Sequence, residues 1–454
     1  MCGLLKKGGL QATTLASTTA LMRLHSPFVR LLTAATMTLA FPLDGSAVVV
    51  FWDGAIGSWN DPTNWENNTL PGNDEAHIDN GGTALISPGD VVNTGFAVMG
   101  GGSGATGTLR MTGGTLNTNF DIRVGGNSTT VGGGTGLFEH SAGSVFMNGG
   151  NLNVGLGPNS VGTLTNSGGS IVLRSGNIFA VGNRATGTVT HTDGTIYVEA
   201  FNNAAPSLVQ LGRNVATGTG SGTYNLSGGT LAAQNLQFGN AVGIAGSVND
   251  FNLQGSGRLL VGTISIVNTA AANSFDFTGG TLSAATVGIP LVNNGGSLSP
   301  ATVTFGVDPG PSGLPTISDI GTTTFTGANS YAQNALGTLS LQIASPTSFD
   351  LVDIGAGAAT GTANLAGTIA VSLLNNFDPA IGSTFDVLFA DSVINTAAVI
   401  GQTPSGATFE ASVPPDPAAD GRQVLRLTVV PEPASISLLA FATLALGSRR
   451  TRKP

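Results

Sequence analysis

Seven copies of one phrase set the terms for any fold this chain adopts. "TGTLRMTGGTL", "TGLFEHSAGSV", "VGTLTNSGGSI", "TGTVTHTDGTI", "SGTYNLSGGTL", "NDFNLQGSGRL" and "NSFDFTGGTLS" share a register that ends in a turn at Gly114, Gly143, Gly169, Gly194, Gly229, Ser256 and Gly280. The steps between these turns are 29, 26, 25, 35, 27 and 24 residues. A second phrase follows each turn: "IRVGG", "LNVGL", "FAVGN", "VQLGR", "LQFGN", "LLVGT" and "ATVGI", with glycines at Gly125, Gly155, Gly182, Gly212, Gly239, Gly262 and Gly288. "T-L-x-M" and "I-R-V" alternate apolar and polar residues, the period of a strand with one buried face. Gly-Gly and Asp-Gly steps supply the positive φ that corners need.

A period near 25 residues is too short for a propeller blade. It fits one coil of a right-handed parallel β-helix or related β-solenoid. One coil cannot bury its apolar residues alone, but coils stacked at about 4.8 Å pair every strand with the next and enclose a continuous core. This reading predicts two inward columns. One is Leu109, Phe138, Leu164, Val189, Tyr224, Phe251 and Phe275; the other is Val124, Val154, Val181, Leu211, Phe238, Val261 and Val287. The long step from Gly194 to Gly229 reads as a loop around "EAFNNAAPS". Composition agrees with an all-β class: only 9% of residues are charged, against roughly 25% in ordinary domains, and there are 68 Gly.

The flanking regions break the period. Residues 48–105 hold all three tryptophans (Trp52, Trp59, Trp65), suited to sealing the open end of a coil. The repeats fill 106–300, a linker covers 301–319, and 320–430 carries longer strands ("LSLQI", "FDLVDI", "RQVLRLTVV") expected to form a smaller antiparallel β-module. The phrases resemble the "GTLTISGG…VG" repeats of autotransporter-like surface β-helices over residues 106–290, and the "W…W…NW…P…D" opening resembles the stretch before such repeats in secreted bacterial proteins.

Both ends read as addresses. Arg23, His25 and Arg30 precede the apolar run 31–43, and small residues follow, so residues 1–47 are expected to be a secretory signal cleaved after Ala47 with Gly45 at the −3 position. The long basic region suggests translation from Met22; the exported chain would then lack Cys2, its single cysteine. At the other end, Pro431-Glu432-Pro433, an apolar run over 434–447 and an arginine cluster including Arg449 and Arg450 resemble the PEP-CTERM sorting signal. That resemblance implies a transmembrane helix and recognition by an exosortase-type membrane peptidase, in bacteria that often make exopolysaccharide. Fourteen residues at about 1.5 Å give roughly 21 Å, short of the roughly 30 Å hydrocarbon core, so the hold on the membrane is expected to be transient, with the basic tip cytoplasmic.

Few residues suggest chemistry. Between Ser46 and Val430 eight Arg face 23 Asp and Glu, a net −15 with no Lys, which argues against nucleic acid as a partner. His140 and His191 share one register position with Met111, Asn166 and Leu226, too widely spaced along the column for a zinc site. Glu139 and His140, as strand neighbours, point to opposite faces and make a poor acid/base pair. Asp53, Asp61, Glu66, Asp74, Glu75, Asp79 and Asp90 lack the spacing of a calcium loop. Arg110, Arg123, Arg174, Arg184, Arg213 and Arg258 are scattered. No catalytic residue, metal or cofactor is expected. The sequence points to an exported, surface or matrix structural and adhesive protein associated with exopolysaccharide. Alternatives are a polysaccharide lyase or hydrolase, or a glycan-binding module, on the same scaffold.

Overall fold

The computed structural model describes residues 48–130, 132–174, 177–199, 207–213, 219–240, 245–305, 315–355, 360–418 and 421–432. Ala47, Pro433, the apolar run 434–447, Arg449 and Arg450 lie outside the described residues, as does most of "EAFNNAAPS". Among the described residues no helix is long and apolar enough to cross a membrane.

The chain is all-β and winds into about 12 coils of a parallel β-solenoid. Each full coil has three faces. In the coil that starts at Thr106, the strand Thr106–Thr118 supplies the first and second faces, with a bend at the positive-φ Gly114, and Ile122–Val124 supplies the third. Thr135–Met147 lies parallel on the first strand, with Leu109 opposite Phe138 and Leu116 opposite Val145. Leu152–Leu156 lies parallel on the third face, with Val154 opposite Val124. Alternation then sends every second side chain inward, and stacking turns each inward position into a column.

The first-face column runs in register from Leu109 through Phe138, Leu164, Val189, Tyr224 and Phe251 to Phe275. All but Phe275 are fully buried. Its aromatic end is a ring stack: Tyr224 and Phe251 lie 5.1 Å apart at 17°, Phe251 and Phe275 5.3 Å apart at 9°. Each such ring contributes its buried area plus about 0.5–1.5 kcal/mol of stacking. The third-face column runs from Val124 through Val154, Val181 and Leu211 to Phe238 as expected, then continues with Ile266, not Val261. Val261 belongs to the second face, opposite Ala233 and Ala284, and Val287 stands in the neighbouring column with Ile264 and Leu236. The cause is a shorter corner. From Thr230 onward one strand, such as Arg258–Ile266, makes both the second and third faces, with Gly262 at the bend. Gly262 lacks the positive φ that marks Gly125, Gly155, Gly182, Gly212 and Gly239.

Residues 320–400 also depart from expectation. They do not form a separate antiparallel module; they continue the parallel coils. Tyr331–Gln333 pairs parallel with Thr362–Leu365, Thr338–Ser345 with Thr368–Leu373, and Leu351–Ile354 with Thr384–Ala390. The last parallel rungs are Ser392–Asn395 and Ala398–Ile400. Antiparallel pairing closes the stack: Gln423–Val430 lies between Thr384–Ala390 and Thr408–Ser412. The expected linker contains a small antiparallel arm, Thr302–Thr304 against Thr316–Ser318, whose Val303 and Ile317, with the adjacent Phe305, pack on an apolar ladder outside the second face (Val172, Tyr197, Ala232, Leu260).

At the opposite end Trp52, Trp59 and Trp65 are buried together. Trp65 meets Trp52 at 4.9 Å and Trp59 at 4.8 Å, both edge-on, and its indole Nε1 donates to the Trp59 carbonyl at 2.8 Å. The tryptophans are interleaved with the first parallel strands: Val49–Phe51 pairs with Glu75–Ile78 and Ile56–Ser58 with Asn80–Ile86, which in turn pairs with the first repeat strand.

Candidate functional site

The outer wall of the third face carries an open groove of about 470 Å³. Two rows of side chains build it. One row follows strict alternation: Arg123 and Asn153 stand opposite each other on adjacent coils. The other depends on glycine. Gly182 has a φ of +77°, and a Cβ there would fall 2.1 Å from the Ser221 carbonyl, so no other residue fits. The reversal of alternation at this position leaves the following residue outside the coil. Leu156, Asn183 and Arg213, each one past such a glycine, are register partners and line the groove together.

The polar atoms form a chain of contacts. Arg123 donates to Glu75 at 3.3 Å, to Asp121 at 3.1 Å and to Asn127 at 2.5 Å, and its guanidinium lies 4.5 Å over the Phe96 ring. Phe96 stacks at 4.8 Å on Phe120, which is half exposed. Asp121 also accepts from the backbone of Asn151. One coil on, Asn183 Nδ2 donates to Asn153 Oδ1 at 3.0 Å, and both residues are buried. Asn183 Oδ1 and Arg213 Nε are buried with no hydrogen-bond partner, an arrangement that costs roughly 1–3 kcal/mol per group unless something fills it. Amides and a guanidinium in this geometry donate to and accept from hydroxyl-rich molecules.

Glu75 links the groove to His77. The His77 ring stands between Glu75 (Nε2, 2.9 Å) and Asp79 (Nδ1, 3.0 Å). Burial alone would lower the imidazole, but the hydrogen bonds and charges of Asp79 and Glu75 outweigh it and push it up to about 8. The same contacts hold the Glu75 carboxyl below its usual range, led by the hydrogen bond to His77.

The other acidic residues of the N-terminal stretch separate. Asp61 caps a short turn through Thr63, Asp74 accepts from the Val48 backbone, and Asp90 from that of Ser87. Among the described residues no group of three or more His, Cys, Asp or Glu side chains is placed to hold a metal.

His140, Asn166 and His191 do share one inward column with Met111 and Leu226. His140 Nδ1 lies 2.6 Å from Asn166 Oδ1, and Asn166 Nδ2 donates to the Asp193 carbonyl at 2.8 Å. His191 Nε2 lies 3.3 Å from the Gly194 carbonyl and Nδ1 3.0 Å from the Tyr224 hydroxyl. Nε2–H donates to the carbonyl, and in the neutral ring that burial favours Nδ1 accepts from the tyrosine hydroxyl. Burial drives both histidines below the ordinary value, His191 to about 4. Both are members of the core, His191 hydrogen-bonded through both ring nitrogens and His140 through Nδ1 alone. Glu139, next to His140, points outward to Arg110 at 2.6 Å.

Pro431 and Glu432 are exposed directly after the last strand, Gln423–Val430. The sequence reading missed the groove. Arg123 and Arg213 look scattered 90 residues apart, yet three coils bring them to one cavity. The available signal was the letter after each phrase glycine, Leu156, Asn183 and Arg213 in turn. No protein-family model and no curated protein matches the chain.

Proposed function

We propose that this chain is an exported structural and adhesive protein of the cell surface or extracellular matrix, whose solenoid wall holds glycans. In this reading an exosortase-type membrane peptidase handles the C-terminal Pro431-Glu432-Pro433 segment while the following helix and Arg449 and Arg450 hold it at the membrane. The observation that carries it is the third-face groove, a row of side-chain amides with a buried acceptor and a buried donor that have no partner within the protein. The carboxylates that line the groove, Glu75 and Asp121, are both tied to Arg123, which suits holding a sugar better than abstracting a proton from one. Exposure of Pro431 and Glu432 after the last strand leaves that stretch accessible to a peptidase.

Pull-down of the full chain on matrix polysaccharide tests the glycan part: the wild type is retained and Asn153→Ala/Asn183→Ala is lost at least tenfold. Turnover of polysaccharide that disappears in Glu75→Gln overturns the structural reading in favour of a lyase or hydrolase. For sorting, expression with and without an exosortase should change the chain's size only when the peptidase is present and Pro431-Glu432-Pro433 is intact.

A further inference from the structure

The groove is electrically lopsided. Its two carboxylates, Glu75 and Asp121, lie at the Arg123 end, where that guanidinium is already engaged by both. Arg213 lies at the far end, three coils away, or about 14 Å at about 4.8 Å per coil. That exceeds the Debye length of about 8 Å at physiological ionic strength. Among the described residues no carboxylate is within ion-pair reach of Arg213, and its buried Nε has no partner. One step before it sits Asn183, only 3% exposed, its amide already donating to Asn153 and its Oδ1 unmatched. A half-buried guanidinium with an unpartnered Nε, beside a buried amide acceptor at the end of a hydroxyl-suited groove, suits an anion that also carries a donor close by.

We infer that the Arg213 end of the groove takes an acidic sugar residue, its carboxylate on the Arg213 guanidinium and a neighbouring hydroxyl donating to Asn183 Oδ1. The inference rests on the glycan reading above and narrows it to glycans that carry a carboxylate. The guanidinium fork matches a carboxylate with two parallel N–H···O bonds.

The test is calorimetric titration of the full chain with tri-galacturonate and with its methyl ester, which keeps the hydroxyls and removes the charge. The wild type should bind the acid at least tenfold tighter than the ester. Arg213→Gln should bring the acid down to the ester's affinity and leave the ester unchanged. Arg213→Lys should keep part of the preference. Arg258→Gln, an exposed arginine on the second face, should leave both probes unchanged. Circular dichroism checks that each variant is folded. Equal binding of acid and ester by the wild type, or a preference that survives Arg213→Gln, overturns the inference. If both probes bind equally and Asn183→Ala weakens both, the acidic class fails while the glycan reading stands. If neither binds, the inference fails, and the glycan reading falls with it only if matrix polysaccharide is also not retained.

Discussion

His77 and His191 are the same side chain driven in opposite directions by the wall they sit on. His77 points out of the third face between inward Ala76 and Ile78, and alternation places Glu75 and Asp79, two residues to either side, on the same outer surface. Both reach its ring, and the imidazole rises to about 8. His191 points into the first-face core, where burial dominates and lowers it to about 4. Its partners are Tyr224 and a carbonyl, neither of which favours a charge as a carboxylate does. A single step of alternation along a strand separates these environments. In a solenoid the parity of a position, more than the residue type, decides whether a polar group becomes a charged surface element or a neutral core spacer.

Acid sharpens the comparison most. In the unfolded chain His191 titrates near 6.5, and in the folded one near 4. Between those values the unfolded state binds the extra proton, so stability falls as pH drops from 6.5 to 4 and is flat below. The window amounts to about 3 kcal/mol at 1.36 kcal/mol per unit. A global melt would blur this. Asp350, whose carboxyl burial pushes up to about 7, is protonated more readily when folded and gains stability as pH falls from 7 toward 3.8. Hydrogen exchange of the coils around Thr186–Val198 reads the local effect, because each coil contacts only its neighbours. Protection there should fall between pH 6.5 and 4. His191→Leu should abolish that slope and cost about 1–3 kcal/mol at pH 7 by orphaning the Tyr224 hydroxyl. An unchanged slope in the variant breaks the comparison.

His77 should respond in the opposite range. Its folded value lies above the unfolded one, so the folded state retains a proton that the unfolded chain releases between 6.5 and 8. Its contribution is full below 6.5 and is lost as pH rises through 8, about 2 kcal/mol in all. Exchange protection in Glu75–Ile78 and Phe96–Met99 should fall over that window, and His77→Gln should remove the dependence. Protection that instead rises with pH there would place the charge elsewhere.

How much of this was legible beforehand follows the same parity. The first-face column could be read residue by residue, because each phrase carries its own turn and every coil restarts the count. The third-face column could be read only to Phe238. There the corner between faces shrinks to one residue, and the "VG" of "LLVGT" imitates the older motif at a different place on the coil. Residues 320–400 alternate as any half-buried strand does. Alternation carries no sign for parallel against antiparallel, so longer strands were read as a separate module. The histidine column was legible from register alone. The groove was not, because Asn183 and Arg213 leave the alternating pattern at a glycine whose φ reverses it, and because their neighbours in space lie one coil away in sequence.

The smallest effect belongs to a third setting, the exposed outer wall of the first face. Arg110 and Glu139 are register partners one coil apart, joined at 2.6 Å, with 46% and 36% of their side chains exposed. Nothing shields this pair as loops and neighbours shield His77. Its Coulomb attraction competes with hydration of the exposed charges and with the rotamer freedom both side chains give up. Arg110→Gln should therefore change the stability of its coils by only about 0.2–1 kcal/mol, and the difference should shrink further in about 1 M salt, where the screening length falls to about 3 Å. If the substitution instead cost as much as neutralising His77, outward position alone would set the worth of a charge. The contrast between the walls would then rest on parity without burial. A small, salt-sensitive effect keeps both: alternation chooses the side, and cover by neighbouring coils and loops sets the magnitude.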